Sequence, residues 1–196
     1  MKIFRQKGSI LNLFQINDKK IVAEINDLTE QSLLNTELET LTNRVYDKFE
    51  ISSDLLFSTA DAKSEVKMIP IPQRRGLYSA SVDYTFNIKG NVELLNYQPV
   101  KQSRIAYIEG GLTNSNLVVT VFTQWSTPDL SDKIKNEVKK TIVLYVEDIE
   151  SNILRLKEEV EDYNSSRKIE ILNLITKRKT AVEDKKKLND SLNPFK

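Results

Sequence analysis

The last third of the chain constrains the fold most strongly. From Pro128 to Tyr163 the apolar residues Leu130, Ile134, Val138, Ile142, Tyr145, Ile149, Leu156, Val160 and Tyr163 recur at nearly heptad spacing, with Ile153 close to the same stripe. That spacing predicts a helix with a narrow packing seam. Asn164, Ser165 and Ser166 read as a turn, and Ile169, Leu172, Ile175, Val182 and Leu188 offer a returning stripe over 166–190. Charge divides the same way: residues 128–164 carry six basic and ten acidic side chains, a net of −4, and residues 165–196 carry nine and four, a net of +5. Opposite blocks attract each other and disfavour pairing of either helix with a copy of itself. The pattern predicts a long antiparallel hairpin of an acidic helix (128–163) and a basic helix (166–190). A helix of 36 residues is about 54 Å long, against about 36 Å for a compact domain built from the preceding 127 residues. Such a hairpin must project from the body or dock on something outside it.

Its start is sharply punctuated. Thr127 can cap the orphan amides, Pro128 suits the first helical position, and Asp129 and Asp132 sit where carboxylates favour the helix dipole. The division predicted here is a mixed helix and antiparallel-sheet domain over 1–125, followed by the hairpin over 126–196.

Within the first part, Ile10, Leu11, Leu13, Phe14 and Ile16 lead to Ile21, Val22, Ile25 and Leu28 in a helical pattern that breaks near Asn26 and Asp27. Leu34, Leu38, Leu41, Val45 and Phe49 then mark one face of a helix from about Thr29 to Lys48, with Thr29, Glu30 and Ser32 as cap candidates. Beyond Glu50 the period changes. Glu65–Ile71, Tyr78–Ile88 and Leu117–Phe122 read as strands. In the second run Val82, Tyr84, Phe86 and Ile88 alternate with Ser81, Asp83, Thr85 and Asn87, the mark of a half-buried antiparallel strand. Ile105–Ile108 and Leu117–Phe122 flank Gly110 and Gly111, placed in the turn of a hairpin. Pro70 and Pro72 put the Glu65 run at a sheet edge or near its end. The fold class is α+β: N-terminal helices, a small antiparallel β-sheet and the C-terminal hairpin.

Composition narrows the chemistry. The 196 residues include no histidine and no cysteine, which excludes Ser-His-Asp and cysteine nucleophile mechanisms, zinc sites built on His or Cys, and disulfides. A net charge of +1 supplies no global attraction to nucleic acid or anionic membrane. No apolar run reaches transmembrane length and the N-terminus lacks the apolar core of a signal peptide, so a cytoplasmic location and no membrane partner are expected. No cofactor, metal site or catalytic residue is expected. Glu65-Val66-Lys67 and Glu137-Val138-Lys139 match half of a metal-dependent nuclease motif, with Asp54 or Asp61 as candidates for the missing carboxylate beside the first; such three-residue patterns arise by chance in charged proteins. No glycine-rich phosphate loop is present.

Two binding surfaces remain. The helix seam of Ile134, Val138, Ile142, Tyr145, Ile149, Leu156 and Val160 is the candidate for self-association or for a protein partner. Arg74, Arg75, Lys185, Lys186 and Lys187 are candidate nucleic-acid contacts, within a basic segment that also holds Arg167, Lys168, Lys177, Arg178 and Lys179. That segment has no interleaved aromatic residues for base stacking.

From about Val82 to Phe195 the chain also resembles the amino-terminal region of uncharacterised bacterial proteins that carry a C-terminal restriction-endonuclease-like domain. The matching features are Val82-Asp83-Tyr84, Gly90, Leu94-Leu95, Pro99, Ile134-Lys135, Asp162-Tyr163-Asn164, Lys177-Arg178-Lys179 and the final Ser191-Leu192-Asn193-Pro194-Phe195-Lys196. The resemblance implies a sensor, assembly or linker module of anti-phage defence type, whose effector would follow the hairpin in a longer chain, be carried by another polypeptide, or have been lost. It carries over no catalytic residue. Together these readings favour a non-enzymatic interaction module that pairs with itself or with an effector subunit. A nucleic-acid-binding protein is the alternative.

Overall fold

The computed structural model describes residues 3–72, 74, 76–100, 108–113, 115–126 and 129–193, with the side chains of 124–126 left aside. The expected cap at Thr127 and Pro128, the run Ile105–Tyr107, Arg75 and the terminal Pro194-Phe195-Lys196 lie outside the described residues. The chain is α+β. Helices α1 (Ile10–Asp27), α2 (Glu30–Asn35) and α3 (Leu38–Phe49) are followed by strands β1 (Leu55–Pro70) and β2 (Tyr78–Gly90) and a short 3-10 turn at Val92–Asn96. Strands β3 (Glu109–Leu112) and β4 (Asn116–Ser126) then precede helix α4 (Asp132–Ser191). Two compact units form, each from two stretches of chain: Met1–Ile10 with Ser53–Glu158, and Leu11–Ser52 with Glu159–Lys196.

In the first unit the four strands pair antiparallel in the order β1-β2-β4-β3. The alternation along β2 sets its burial. Val82, Phe86 and Ile88 are buried, and they stand in register with Val121, Leu117 and their neighbours on β4, so both strands direct apolar side chains to one face. Ala80, Val119, Leu94, Leu95, Tyr97 and Ile108 add to the core, as do Val138, Ile142, Ile149, Ile153 and Leu156 of α4. Full burial of each such aliphatic side chain contributes about 1.5–3 kcal/mol.

Gly110 and Gly111, expected in a turn, lie within β3. A Cβ at Gly110 would run into the Val118 carbonyl, so the glycine serves close strand approach rather than chain reversal. The reversal falls at Thr113–Asn116, where Thr113 N–H donates to the Asn116 carbonyl at 2.9 Å.

In the second unit the expected helix from Thr29 to Lys48 is two helices. Thr29 caps α2 by accepting from Ser32 N–H at 3.1 Å, but Thr36 takes extended geometry (φ −109°, ψ 142°) and ends it after six residues. Ile21, Ile25, Leu28, Leu33, Leu41 and Val45 then enclose Ile171 and Ile175 of α4, with Leu174 and Val182 packed beside them.

This packing overturns the helical hairpin. No turn forms at Asn164–Ser166, and α4 runs unbroken for 60 residues. Of the stripe expected to return, Ile169, Leu172 and Leu188 are exposed at 64%, 37% and 59%, while Ile175 and, more loosely, Val182 are covered together with Ile171. The turn-forming side chains are occupied otherwise. Asn164 Oδ1 accepts from Ile51 N–H at 3.2 Å while its amide donates to the Ile51 carbonyl at 2.7 Å. Ser166 Oγ donates back to the Tyr163 carbonyl at 2.8 Å, the local bond by which serine is accommodated inside a helix. Tyr163 stacks on Phe14 with ring centroids 4.2 Å apart and donates to Asp18 Oδ1 at 2.7 Å. Burial, reinforced by Asp18, raises the Tyr163 phenol well above its ordinary pKa. The basic helix finds its complement in the ends of α1 and α2. Arg178 donates to the carbonyls of Ile25 and, at 2.7 Å, Leu28, and Lys179 to that of Thr36 at 3.2 Å, which meets acceptors that helix C-termini leave open. The cap of α4 also moves, with Ser131 Oγ accepting from Ile134 N–H at 3.4 Å.

Candidate functional site

Most of the helix seam proposed for self-association is covered within the unit that carries it. Val138, Ile142, Ile149 and Leu156 are buried in the first unit and Val160 in the second; Ile134 and Tyr145 are half-buried. Ile134 and Val138 line a cavity of about 330 Å³ with Val121 and Thr123 of β4, so this part of the seam faces the sheet. A period near 3.5 marks an apolar stripe without saying what covers it.

The basic candidates are divided between the units. Arg74 lies in the turn between β1 and β2, its N–H donating to the Ile71 carbonyl at 3.0 Å. In the other unit Lys185 pairs with Glu30 at 2.8 Å and Lys187 with Asp184 at 3.7 Å, while Lys186 is exposed. Lys168 stands 5.2 Å over the Tyr46 ring, and Arg167 lies 5.1 Å from that of Tyr163 and 3.4 Å from Asp18. Most of the basic segment therefore has partners inside its own unit.

Glu65-Val66-Lys67 lies on β1 at the edge of the sheet, as the prolines implied. Neither Asp54 nor Asp61 completes a nuclease-like set. The carboxylate brought to it is Asp83, directly opposite Glu65 in the β1–β2 register. Lys67 Nζ bonds Asp83 Oδ2 at 2.6 Å, and Thr120 Oγ1 donates to Asp83 Oδ1 at 2.7 Å, a polar ladder across three strands. The Lys67 hydrogen bond, then that of Thr120, holds the Asp83 carboxyl below its usual pKa, and the bond to Asp83 raises that of Lys67. Among the described residues no group of three or more acidic side chains could hold a metal ion.

What most distinguishes this region is its free edge. Among the described residues β1 pairs with β2 alone, and most of its 16 residues are exposed. Leu56, Val66 and Ile69 are 56%, 49% and 63% exposed, and Phe122 on β4 is 61% exposed. The β1–β2 register breaks between Ser58 and Lys63, then continues without interruption from Lys63 to Pro70. This gives eight residues of regular strand whose outward backbone groups have no partner strand among the described residues.

One further feature went unread in the sequence. Asp148 and Asn152, one turn apart on the buried side of α4, are 8% and 1% exposed; Asn152 donates to Asp148 at 3.2 Å and its own oxygen has no hydrogen-bond partner among the described residues. Their i, i+4 spacing beside the apolar stripe was the available signal.

Among the described residues no helix is long and apolar enough to cross a membrane. No protein family model, curated protein or solved structure matches the chain.

Proposed function

We propose that this chain is a non-enzymatic interaction module, a sensor, assembly or linker element of a bacterial system of the anti-phage defence kind, working in the cytoplasm. The observation that carries the reading is the edge of β1, which has no partner strand among the described residues. An exposed strand edge is a template for main-chain pairing, and natural proteins shorten, bend or cover such edges unless they are used. The engagement of Arg167, Arg178, Lys179 and Lys185 within their own unit supports this reading over nucleic-acid binding through the basic helix and the Arg74/Arg75 turn. A photo-crosslinking amino acid at Val66, introduced in the source cells, tests it. A discrete protein adduct is expected. Adducts to nucleic acid alone, or none, would overturn it.

A further inference from the structure

We propose that β1 pairs antiparallel with β1 of a second copy of this chain, Val66 opposite Val66, joining two four-stranded sheets across a two-fold axis. This rests on the interaction-module reading and names its partner. The charges on the edge select both the partner and the register. Lys63, Glu65, Lys67 and Ile69 share one face of β1, since they stand opposite Thr85, Asp83, Ser81 and Ser79 of β2. In an antiparallel self-pair centred on Val66, Glu65 of each copy faces Lys67 of the other, so the two-fold makes two opposite-charge pairs.

Shifting the centre by one residue loses this. Centring on Glu65 sets Glu65 against itself and Lys63 against Lys67; centring on Lys67 sets Lys67 against itself. Centring on Ser64 sets Glu65 against Lys63 and Lys67 against Asp61, but it places Asp61 and its neighbours in the irregular stretch between Ser58 and Lys63, where the strand does not keep regular geometry. The Val66 centre instead keeps the pairing from Lys63 to Ile69 within the regular segment. It also covers Val66, and lays the Lys63 stem of one copy against Ile69 of the other. Edge lysines normally deter strand addition. An alternating Glu-x-Lys edge deters foreign strands while admitting its own complement, which is specificity by charge.

The test exploits that self-complementarity in sedimentation velocity on the full chain. The wild type is expected to reach twice its 22.6 kDa mass as concentration rises. Glu65→Lys and Lys67→Glu, each alone, set like charges face to face and are expected to remain monomeric. An equimolar mixture of the two single variants is expected to associate, because one chain then carries lysine at both positions and the other glutamate at both, so every facing pair is opposite in sign. The double variant is expected to self-associate again. Glu65→Lys leaves the Lys67–Asp83 pair intact, so its monomeric state cannot be put down to loss of that contact; circular dichroism of every variant checks the fold. A wild type that stays monomeric at the highest attainable concentration, single variants that dimerise as well as it does, or a mixture that fails to associate overturns the proposal. In that event a Val66 adduct to a different protein leaves the module reading standing, and absence of any protein adduct removes both.

Discussion

Asn164→Ala separates a continuous α4 from a helical hairpin. In the folded chain the Asn164 amide bonds both backbone groups of Ile51, at 3.2 and 2.7 Å, and the residue is only 8% exposed. Each bond contributes about 1 kcal/mol net, so truncation forfeits about 2 kcal/mol. Alanine returns about 0.6 kcal/mol through its higher helix propensity. The expected net loss is about 1.5 kcal/mol, larger where water cannot reach Ile51, and it corresponds to a fall of about 3–6 °C in Tm for a chain of this size. Ser165, next to it, is exposed and its replacement by alanine is expected to be neutral or slightly stabilising. Urea unfolding followed by circular dichroism at the helix band measures both. An Asn164→Ala protein as stable as the wild type would refute the clamp. So would a Ser165→Ala protein that loses as much, as a real turn at 164–166 would require.

Ile149→Glu places a carboxylate at a position with no exposure and is expected to unfold the first unit, at a cost above about 3 kcal/mol; a folded variant with reduced oligomeric mass would return the seam to the surface. Asp83 gives an acid-limb effect. Its folded pKa is depressed by Lys67 and Thr120, so its contribution is present above the unfolded value of about 3.9 and is lost as pH falls through the folded value. Asp83→Asn is expected to be less stable near neutrality and to show a shallower loss below about pH 4, and unchanged acid titration of stability would contradict the ladder. Replacing Lys185, Lys186 and Lys187 with Gln is expected to leave protein association unchanged; submicromolar DNA or RNA binding near physiological salt, lost in that variant with a logarithmic salt slope flatter by up to about three units, would favour the nucleic-acid reading.

Local pattern was legible where local chemistry decides structure. The alternation at Val82 to Ile88, the Thr29 cap and the break near Asp27 were all read from side chains that act on their immediate neighbours. The hairpin was misread because Asn164-Ser165-Ser166 suits a turn and a bonded helix interior alike, and the partners that decide, Ile51, Phe14 and Asp18, lie more than 100 positions away. The acidic and basic halves matched in sign, yet the basic half closes the ends of α1 and α2. Strand β1 begins ten residues before the expected start, since Ser58-Thr59-Ala60-Asp61-Ala62 has no apolar alternation and the pairing with β2 that defines the strand lies on either side of it, at residues 55–58 and 63–70. For the candidate site, Pro70 revealed the edge, but Asp83 as the partner of Lys67 needed the register, and the seam's burial needed the sheet beneath it.

Amide hydrogen exchange over Lys63–Ile69, compared between dilute and concentrated protein, tests the use of the β1 edge most directly. The account has the outward-facing amides of β1 exchanging rapidly in dilute solution and gaining protection as concentration rises, while the amides of β2, already paired on both sides, stay unchanged. Protection of β1 that is complete in dilute solution, or that appears on association everywhere except β1, would contradict it.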